Sequence, residues 1–455
     1  MRTNSLTILI FAILISTLSC GQQGQIHNGK QYIPFSNSLW DIYDHKDSLL
    51  SIHVVTDEGK QALRLEPGQR ALVKDRNFKN FQVEFWTKGL TPGIGFRMQD
   101  AKNFEYLYLR AAKGGYKDAL QYVPVHGGNL PWQLYNYPKY EGKASFPRKQ
   151  QALLPISFKS DIVKGGANEN LLNALKNRGL VFSKTSFIDF MEEDLSYIYD
   201  PETSKVLGIR FTEKGISFLE FKQWIQVKIM VVQDQMSVFI EDMDKPVFTV
   251  DHLKRDDLGG GISLISSFDP VLFSDFSVAE ISDTTKPQNV DKGNPSDTEE
   301  FLKTWHISQP FAKDSTNFKS QVDSILKHRV KFKTVLADED GLINISRYHD
   351  DMTKTVVLTC NLVSDSDRTV LMNFDYADHL VVLFDSKIRF DGGMDFRPPA
   401  DKGVEGRVIV TDEQVPLELK KGSNELVFML SGDARQQFNW GFIAKLNNME
   451  GISIE

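Results

Sequence analysis

At 455 residues the chain is too long for one ordinary domain. Its 41% hydrophobic and 25% charged residues are globular values and exclude a mostly disordered chain. A formal charge of −7 with no long Lys/Arg block sets aside nucleic acid and electrostatic membrane adsorption.

The two cysteines, Cys20 and Cys360, form no disulfide framework and have separate roles. Arg2 precedes the apolar run Leu6 to Leu18, which is shorter than the roughly 20 residues of a membrane-spanning helix. That length suits the core of an export signal. The run ends in Leu18-Ser19-Cys20, which resembles a bacterial lipobox. The resemblance implies that residues 1–19 are a lipoprotein signal peptide and that Cys20 is lipidated. The expected location is the cell envelope, periplasmic or outer-membrane facing, with membrane contact through the N-terminal lipid alone. Residues 20–30 are polar and predict a tether.

From residue 31 to 282 the pattern is short alternating segments broken by Gly, Pro, Asn and Asp. Gln61-Ala-Leu-Arg-Leu, Phe81-Gln-Val-Glu-Phe-Trp, Tyr106-Leu-Tyr-Leu, Ile225 to Val232 and Met236-Ser-Val-Phe-Ile read as strands. Such periods predict antiparallel sheets and an all-β fold, here a β-sandwich. Phe78 to Phe85, Gly93-Ile-Gly-Phe-Arg, Trp224-Ile-Gln-Val-Lys-Ile and Gly261-Ile-Ser-Leu together resemble the concanavalin-like, laminin-G-type sandwich. More narrowly, they resemble the bacterial 3-keto-disaccharide hydrolase (glycoside-hydrolase-16-like) family. From about 148 to 222 the strand rhythm is interrupted, and a helix over Glu169 to Arg178 followed by a hairpin over Tyr197 to Leu219 predict a small α+β insertion.

Residues 283–299 are polar with two prolines and read as a linker. Residues 300–455 alternate again at Thr355 to Leu362, Thr369 to Tyr376, His379 to Phe384, Val415 to Leu419 and Asn424 to Leu430, which predicts a second sandwich. Trp305-His-Ile-Ser-Gln-Pro-Phe and the closing Trp440-Gly-Phe resemble the galactose-binding-like jelly rolls of bacterial surface proteins. Cys360, inside such a strand, is expected to be a buried, inert thiol.

The stretch Gly93 to Tyr140 concentrates aromatic, arginine, glycine and amide residues. Alternation puts Phe104, Tyr106, Tyr108 and Arg110 on one sheet face, a mix of apolar planes and cations that suits a sugar. Asp118, Gln121, Tyr122, Trp132, Gln133 and Tyr135 follow, with Trp132 and Tyr135 the foremost stacking candidates. The family resemblance implies that Arg97 and Glu105 correspond to its Phe-Arg strand and acidic residue. Glu105 is thereby a candidate catalytic acid or base, kept ionised by Arg97 or Arg110, with a plain cross-strand salt bridge as the alternative role. His126, in Val125-His-Gly-Gly-Asn, could act as an acid or base. The Glu-x-Asp-x-x-Glu motif of retaining glycosidases is absent from the sequence. No Cys/His metal spacing or phosphate loop is present, so no cofactor is expected. Calcium enters only through Asp375, Asp378, Asp391 and Asp395, which could supply oxygen ligands. The sequence therefore points to carbohydrate or glycoconjugate as partner, with glycoside hydrolysis or protein interaction as alternatives.

Overall fold

The alternation of Phe81 to Trp86 becomes the strand Phe81–Lys88 in the computed structural model. Phe81, Val83, Phe85 and Thr87 are buried, and Gln82, Glu84, Trp86 and Lys88 are partly exposed. Described are residues 26–27, 30–163, 165–192, 195–255, 259–282, 284–285, 301–313, 318–328, 331–394, 406–411, 413–432 and 438–455. The proposed signal peptide, Cys20, Asp395 and most of the linker lie outside them.

Phe81–Lys88 pairs antiparallel with Ile225–Val232 and with Val271–Glu280 in a nine-stranded sheet. The edge of that sheet takes in Ile26–His27 and Lys30–Tyr32, so part of the expected tether is strand. The second layer is eight-stranded. Its order is Glu141–Gly142, Leu120–Val125, Asn103–Leu109, Pro92–Asp100, Gly261–Ser266, Arg70–Val73, Trp40–Tyr43 and Leu49–Leu50. Inward residues of both layers, including Phe81, Ile94, Phe96, Leu107, Ile229 and Leu264, form one core.

The insertion is a lobe with its own core. Five strands, Lys149–Leu154, Gly215–Glu220, Lys205–Thr212, Leu195–Asp200 and Phe187–Glu192, make its sheet. The helix Glu169–Lys176 lays Leu171 and Leu175 into the lobe core with Ile198 and Phe218. Its first turn is capped by the Asn168 side chain, which accepts from the Leu171 N–H at 2.9 Å. The predicted hairpin is present and is extended by flanking strands.

The C-terminal part is a second sandwich, with sheets of seven and four strands among the described residues. Trp305 lies at its centre, its ring 4.7 Å from Phe428 and 5.0 Å from Phe442, its indole N–H donating to the Leu302 carbonyl at 2.7 Å. Cys360 is buried there, and burial pushes its thiol up to about 12. The fold is thus all-β, two antiparallel sandwiches with a small α+β insertion in the first.

The two sandwiches are joined by buried polar contacts as well as apolar ones. Leu342, Ala377 and Val408 of the second pack into the core cluster of the first. Gln133 and Asn439 make a reciprocal pair: the Gln133 N–H donates to Asn439 Oδ1 at 2.8 Å, and Asn439 Nδ2 donates to Gln133 Oε1 at 2.7 Å. Arg407 of the second sandwich donates from Nη2 to Glu141 Oε1 at 2.6 Å and to Asp118 Oδ2 at 3.3 Å. These three side chains are 3%, 0% and 0% exposed, so the charges are shielded from solvent. On the other flank, buried Lys254 pairs with Glu339 and lies 3.4 Å from both Asp338 and Asp340.

Removing one member of a buried pair leaves the other charge uncompensated, at a cost of roughly 3–5 kcal/mol. Arg407→Met keeps most of the side-chain volume while leaving Glu141 with Arg110 at 3.5 Å as its nearest described cation. Because Arg110 stays near Glu141 and Lys113 stays on Asp118, urea unfolding of this variant should lose stability at or just below the lower end of that scale, about 2–3 kcal/mol. A loss under about 1 kcal/mol would show that the pair behaves like a surface salt bridge.

Candidate functional site

Glycine makes the outer face of the eight-stranded sheet. Gly93 and Gly95, on Pro92–Asp100, have no Cβ, and the rings of Tyr106 and Phe104 lie in the freed space. A Cβ at Gly93 would come within 2.4 Å of Tyr106 Oη, and one at Gly95 within 3.0 Å of Phe104 Cδ2. Tyr106 and Tyr108 stack with centroids 5.2 Å apart. The expected aromatic row exists, with Phe104 meeting Tyr106 edge-on at 5.9 Å between centroids.

Directly opposed residues of neighbouring strands share a face. One such row runs Tyr43, Arg70, Ile265, Gly93, Tyr108, Gln121, Glu141 across the sheet. The same outer face therefore carries Glu141, held by Arg407, at one end and Tyr43 at the other.

The sequence-predicted residues separate into two groups. Tyr106, Tyr108, Arg110, Asp118, Gln121, Trp132, Gln133 and Tyr135 gather on or over the outer face where the second sandwich docks. Gln121 Nε2 donates to the carbonyls of Trp132 and Tyr135 at 2.7 and 3.0 Å, which pins their loop over the sheet. Arg407 stacks on Trp132, 5.4 Å from the ring centroid. The Tyr108 hydroxyl donates to Gln121 Oε1 at 2.6 Å, and Arg110 Nη2 also donates to that oxygen. Asn344 Nδ2 of the second sandwich donates to the Tyr135 hydroxyl at 3.4 Å. Burial raises the Asp118 pKa, but the Lys113 ammonium at 2.6 Å, with Arg110 and Arg407, outweighs it and holds the carboxyl below its ordinary value. Tyr106, Tyr108, Asp118, Gln121, Gln133 and Tyr135 are all buried, while Trp132 and Arg110 are partly exposed.

Arg97, Glu105 and Tyr122 are buried in the first sandwich, and His126 is half-buried just past the end of Leu120–Val125. Arg97 has φ +49° where the pairing of Pro92–Asp100 with Gly261–Ser266 shifts register, and its buried guanidinium donates to the Gln233 carbonyl. Glu105 is fully buried. It accepts from the Tyr122 hydroxyl at 2.7 Å and from the Arg255 N–H at 3.0 Å. Burial dominates and raises its pKa, although Tyr122, Arg255 and Arg97 oppose it. His126 Nδ1 accepts from Arg255 Nη1 at 2.8 Å, and burial, with the nearby Arg255 and Arg347 charges, lowers its pKa to about 3. Glu105 and His126 are thus joined through Arg255, and Trp132 belongs to the other group.

Of the acidic residues considered for calcium, Asp375 accepts from the N–H groups of Tyr376 and Ile409, and Asp391 lies 3.1 Å from His379. Among the described residues no three His, Cys, Asp or Glu side chains gather as a metal site.

The open end of the outer face holds a depression of about 480 Å3. Tyr43, Leu72 and Met98 supply apolar surface, and Arg70, Asp75, Arg76, Asn77, Gln99 and Asp100 supply polar groups. The Arg70 guanidinium sits 4.9 Å from the Tyr43 ring centroid, which fixes both. Gln99 Nε2 donates to the Gly259 carbonyl at 2.7 Å, which anchors one side. Gln99 and Asp100 fall within Gly93 to Tyr140, but Tyr43, Arg70 and Asp75 to Asn77 were not singled out from the sequence. Their only local signal is a polar turn beside short strands.

No family model matches the chain, and no curated protein matches it. Among solved structures it is similar to domain 4 of AbnA, a GH43 extracellular arabinanase from Geobacillus stearothermophilus, in complex with arabinotriose. That match has 10% identity over 53% of this chain and 82% of that one, with TM-score 0.25. The exoplasmic/lumenal domain of VIP36 in its Ca2+/Man3GlcNAc-bound form matches at 8% identity over 57% and 93%, TM-score 0.25. An anti-sigma factor domain-containing protein matches over 92% and 95% at 6% identity, TM-score 0.21. At TM-scores this low, none of these likenesses bears on the ligand or chemistry of this chain.

Glu105 and His126 give opposite pH effects. An unfolded histidine titrates near 6.5, so between that value and about 3 the unfolded chain binds a proton that folded His126 does not, and stability is lost as the pH is lowered through that window. Glu105 has a raised folded pKa, so its contribution is present below the unfolded value and lost as pH rises through the folded one. In urea titrations the stability difference between Glu105→Gln and wild type should therefore move in favour of the variant from about pH 4 to about pH 8. Movement the other way would contradict the burial-dominated environment.

Proposed function

We propose that this chain is an exported, lipid-anchored protein that binds carbohydrate or glycoconjugate on the open end of the outer face of its first sandwich. The observation carrying this reading is the depression itself, apolar at Tyr43, Leu72 and Met98 and polar around them. A pyranose offers an apolar C–H face and a ring of hydroxyls. The Tyr43 plane suits the former, and the amides of Asn77 and Gln99 with the carboxylates of Asp75 and Asp100 suit the latter. Binding is favoured over glycoside cleavage because Glu105 is sealed inside the sandwich, where no glycosidic oxygen reaches it. The lipid anchor rests on the lipobox-like Leu18-Ser19-Cys20.

Glycan-panel screening followed by calorimetric titration should find a saccharide ligand whose affinity falls roughly tenfold, about 1.4 kcal/mol, with Tyr43→Ala or Asn77→Ala. Trp132→Ala should act chiefly on unfolding stability. No binding across a broad panel, or affinity lost with Trp132→Ala and kept with Tyr43→Ala, would overturn this location. In detergent phase partitioning the protein should enter the detergent phase and Cys20→Ala the aqueous phase. Equal partitioning of both would remove the anchor.

A further inference from the structure

Against a formal charge of −7 for the whole chain, one short stretch is strongly basic. In Lys327-His-Arg-Val-Lys-Phe-Lys four of seven residues are Lys or Arg, and none is acidic. The stretch begins at the end of the helix Phe318–Lys327 and runs into Lys333–Leu336, an edge strand of the second sandwich. The His328 N–H donates to the Ile325 carbonyl at 3.0 Å, and the Lys331 N–H donates to the His328 carbonyl at 3.1 Å. Such a turn holds the Cα atoms of His328 and Lys331 within about 7 Å, and Lys333 follows no more than about 7 Å further on.

Lys327, His328, Lys331 and Lys333 are all exposed. None of the three lysines is ion-paired among the described residues, and Asp323, one turn earlier in the helix, pairs with none of them. A cation in the last turn complements the helix dipole, which accounts for Lys327. Lys331 and Lys333 lie beyond that turn, where the dipole no longer favours them. The apolar side of the helix is already used: Val322 packs with Val357, Val381, Val427 and Met429 of the sheet, and Ile325, Leu326 and Phe332 are partly buried against the same cluster. The segment is thus fixed on the second sandwich with its cations turned outward.

We propose that this basic strip binds an acidic polysaccharide, one whose sugars carry carboxylate or sulfate groups. Cations crowded together without counter-charges repel one another, and a polyanion relieves that repulsion. A single polymer chain meets the strip alone. A flat anionic bilayer also brings its charge against the rest of a net negative body, within a screening length of about 10 Å at 0.1 M salt. Insertion into a bilayer needs an apolar helix face, and here that face is spent on the sheet. Single-stranded nucleic acid needs exposed rings for base stacking, and the aromatic side chain of the strip, Phe332, is packed against the sandwich. The strip shares no residue with the depression at Tyr43, so the two sites stand or fall separately.

The test is calorimetric titration of the full chain with polygalacturonate, with its methyl ester as the uncharged control and poly(dT) and phosphatidylglycerol vesicles as comparisons. Polygalacturonate should bind and the methyl ester should not, and raising the salt from about 50 to about 200 mM should weaken binding about tenfold or more, as counterion release requires. Replacing the three lysines together, Lys327→Gln with Lys331→Gln and Lys333→Gln, should cost about tenfold or more in affinity at low salt without loss of thermal stability, because only exposed side chains change. The matching triple replacement by Arg should keep the affinity, and so should Tyr43→Ala. No binding of polygalacturonate, equal binding of its methyl ester, unchanged affinity in the Gln variant or lost affinity in Tyr43→Ala overturns the proposal. Tighter binding of poly(dT) or of the vesicles overturns it in favour of nucleic acid or a membrane surface.

Discussion

The Arg407 guanidinium lies between Glu141 and Asp118, removed from water, and the placing of everything nearby depends on keeping it paired. A buried ion pair is tolerated only when geometry and further hydrogen bonds compensate for lost solvation. Here Lys113 and Arg110 share Asp118, and Trp132 offers its face to Arg407. Gln121 and Tyr108 tie the same cluster to the sheet beneath. The second sandwich is thereby seated on the outer face of the first, with Lys254 and the Asp338 to Asp340 turn closing the opposite flank.

That seating divides one sheet face into two regions. The half bearing Tyr108, Gln121 and Glu141 becomes an internal surface, and its aromatic and amide groups are used for cohesion. The half bearing Tyr43, Arg70 and Leu72 stays open and keeps a depression with the mixed character a saccharide needs. Glu105 sits beneath the sheet, and His126, just past the end of Leu120–Val125, is coupled to it through Arg255, so their titration is an issue of stability.

Much of this was legible in the sequence. Alternation identified the strands on both sides of the linker, and it placed Phe104, Tyr106 and Tyr108 on one face. Glu105, taken as a candidate catalytic residue, alternates with Leu107 and Leu109 on the opposite, inward face and is fully buried there. What covers the aromatic row was not legible. Gln133 meets Asn439, and Glu141 meets Arg407, hundreds of positions further along the chain, and no local period carries that information. Arg97 escaped for another reason: the bulge turns it with a positive φ, so its direction does not follow from counting by twos. The Tyr43 depression is assembled from short strands and the Asp75 to Asn77 turn, segments whose polarity reads as ordinary loop.

The central claim is that ligand occupies the open half of the outer face while the covered half stays closed. Hydrogen–deuterium exchange, with and without a saccharide identified by panel screening, tests it most directly. Protection is expected over residues 70–77 and 98–101, with no change over 118–141. Protection of 118–141 with none at 70–77 would contradict the account, since the ligand would then have to displace the second sandwich from Arg407 and its partners.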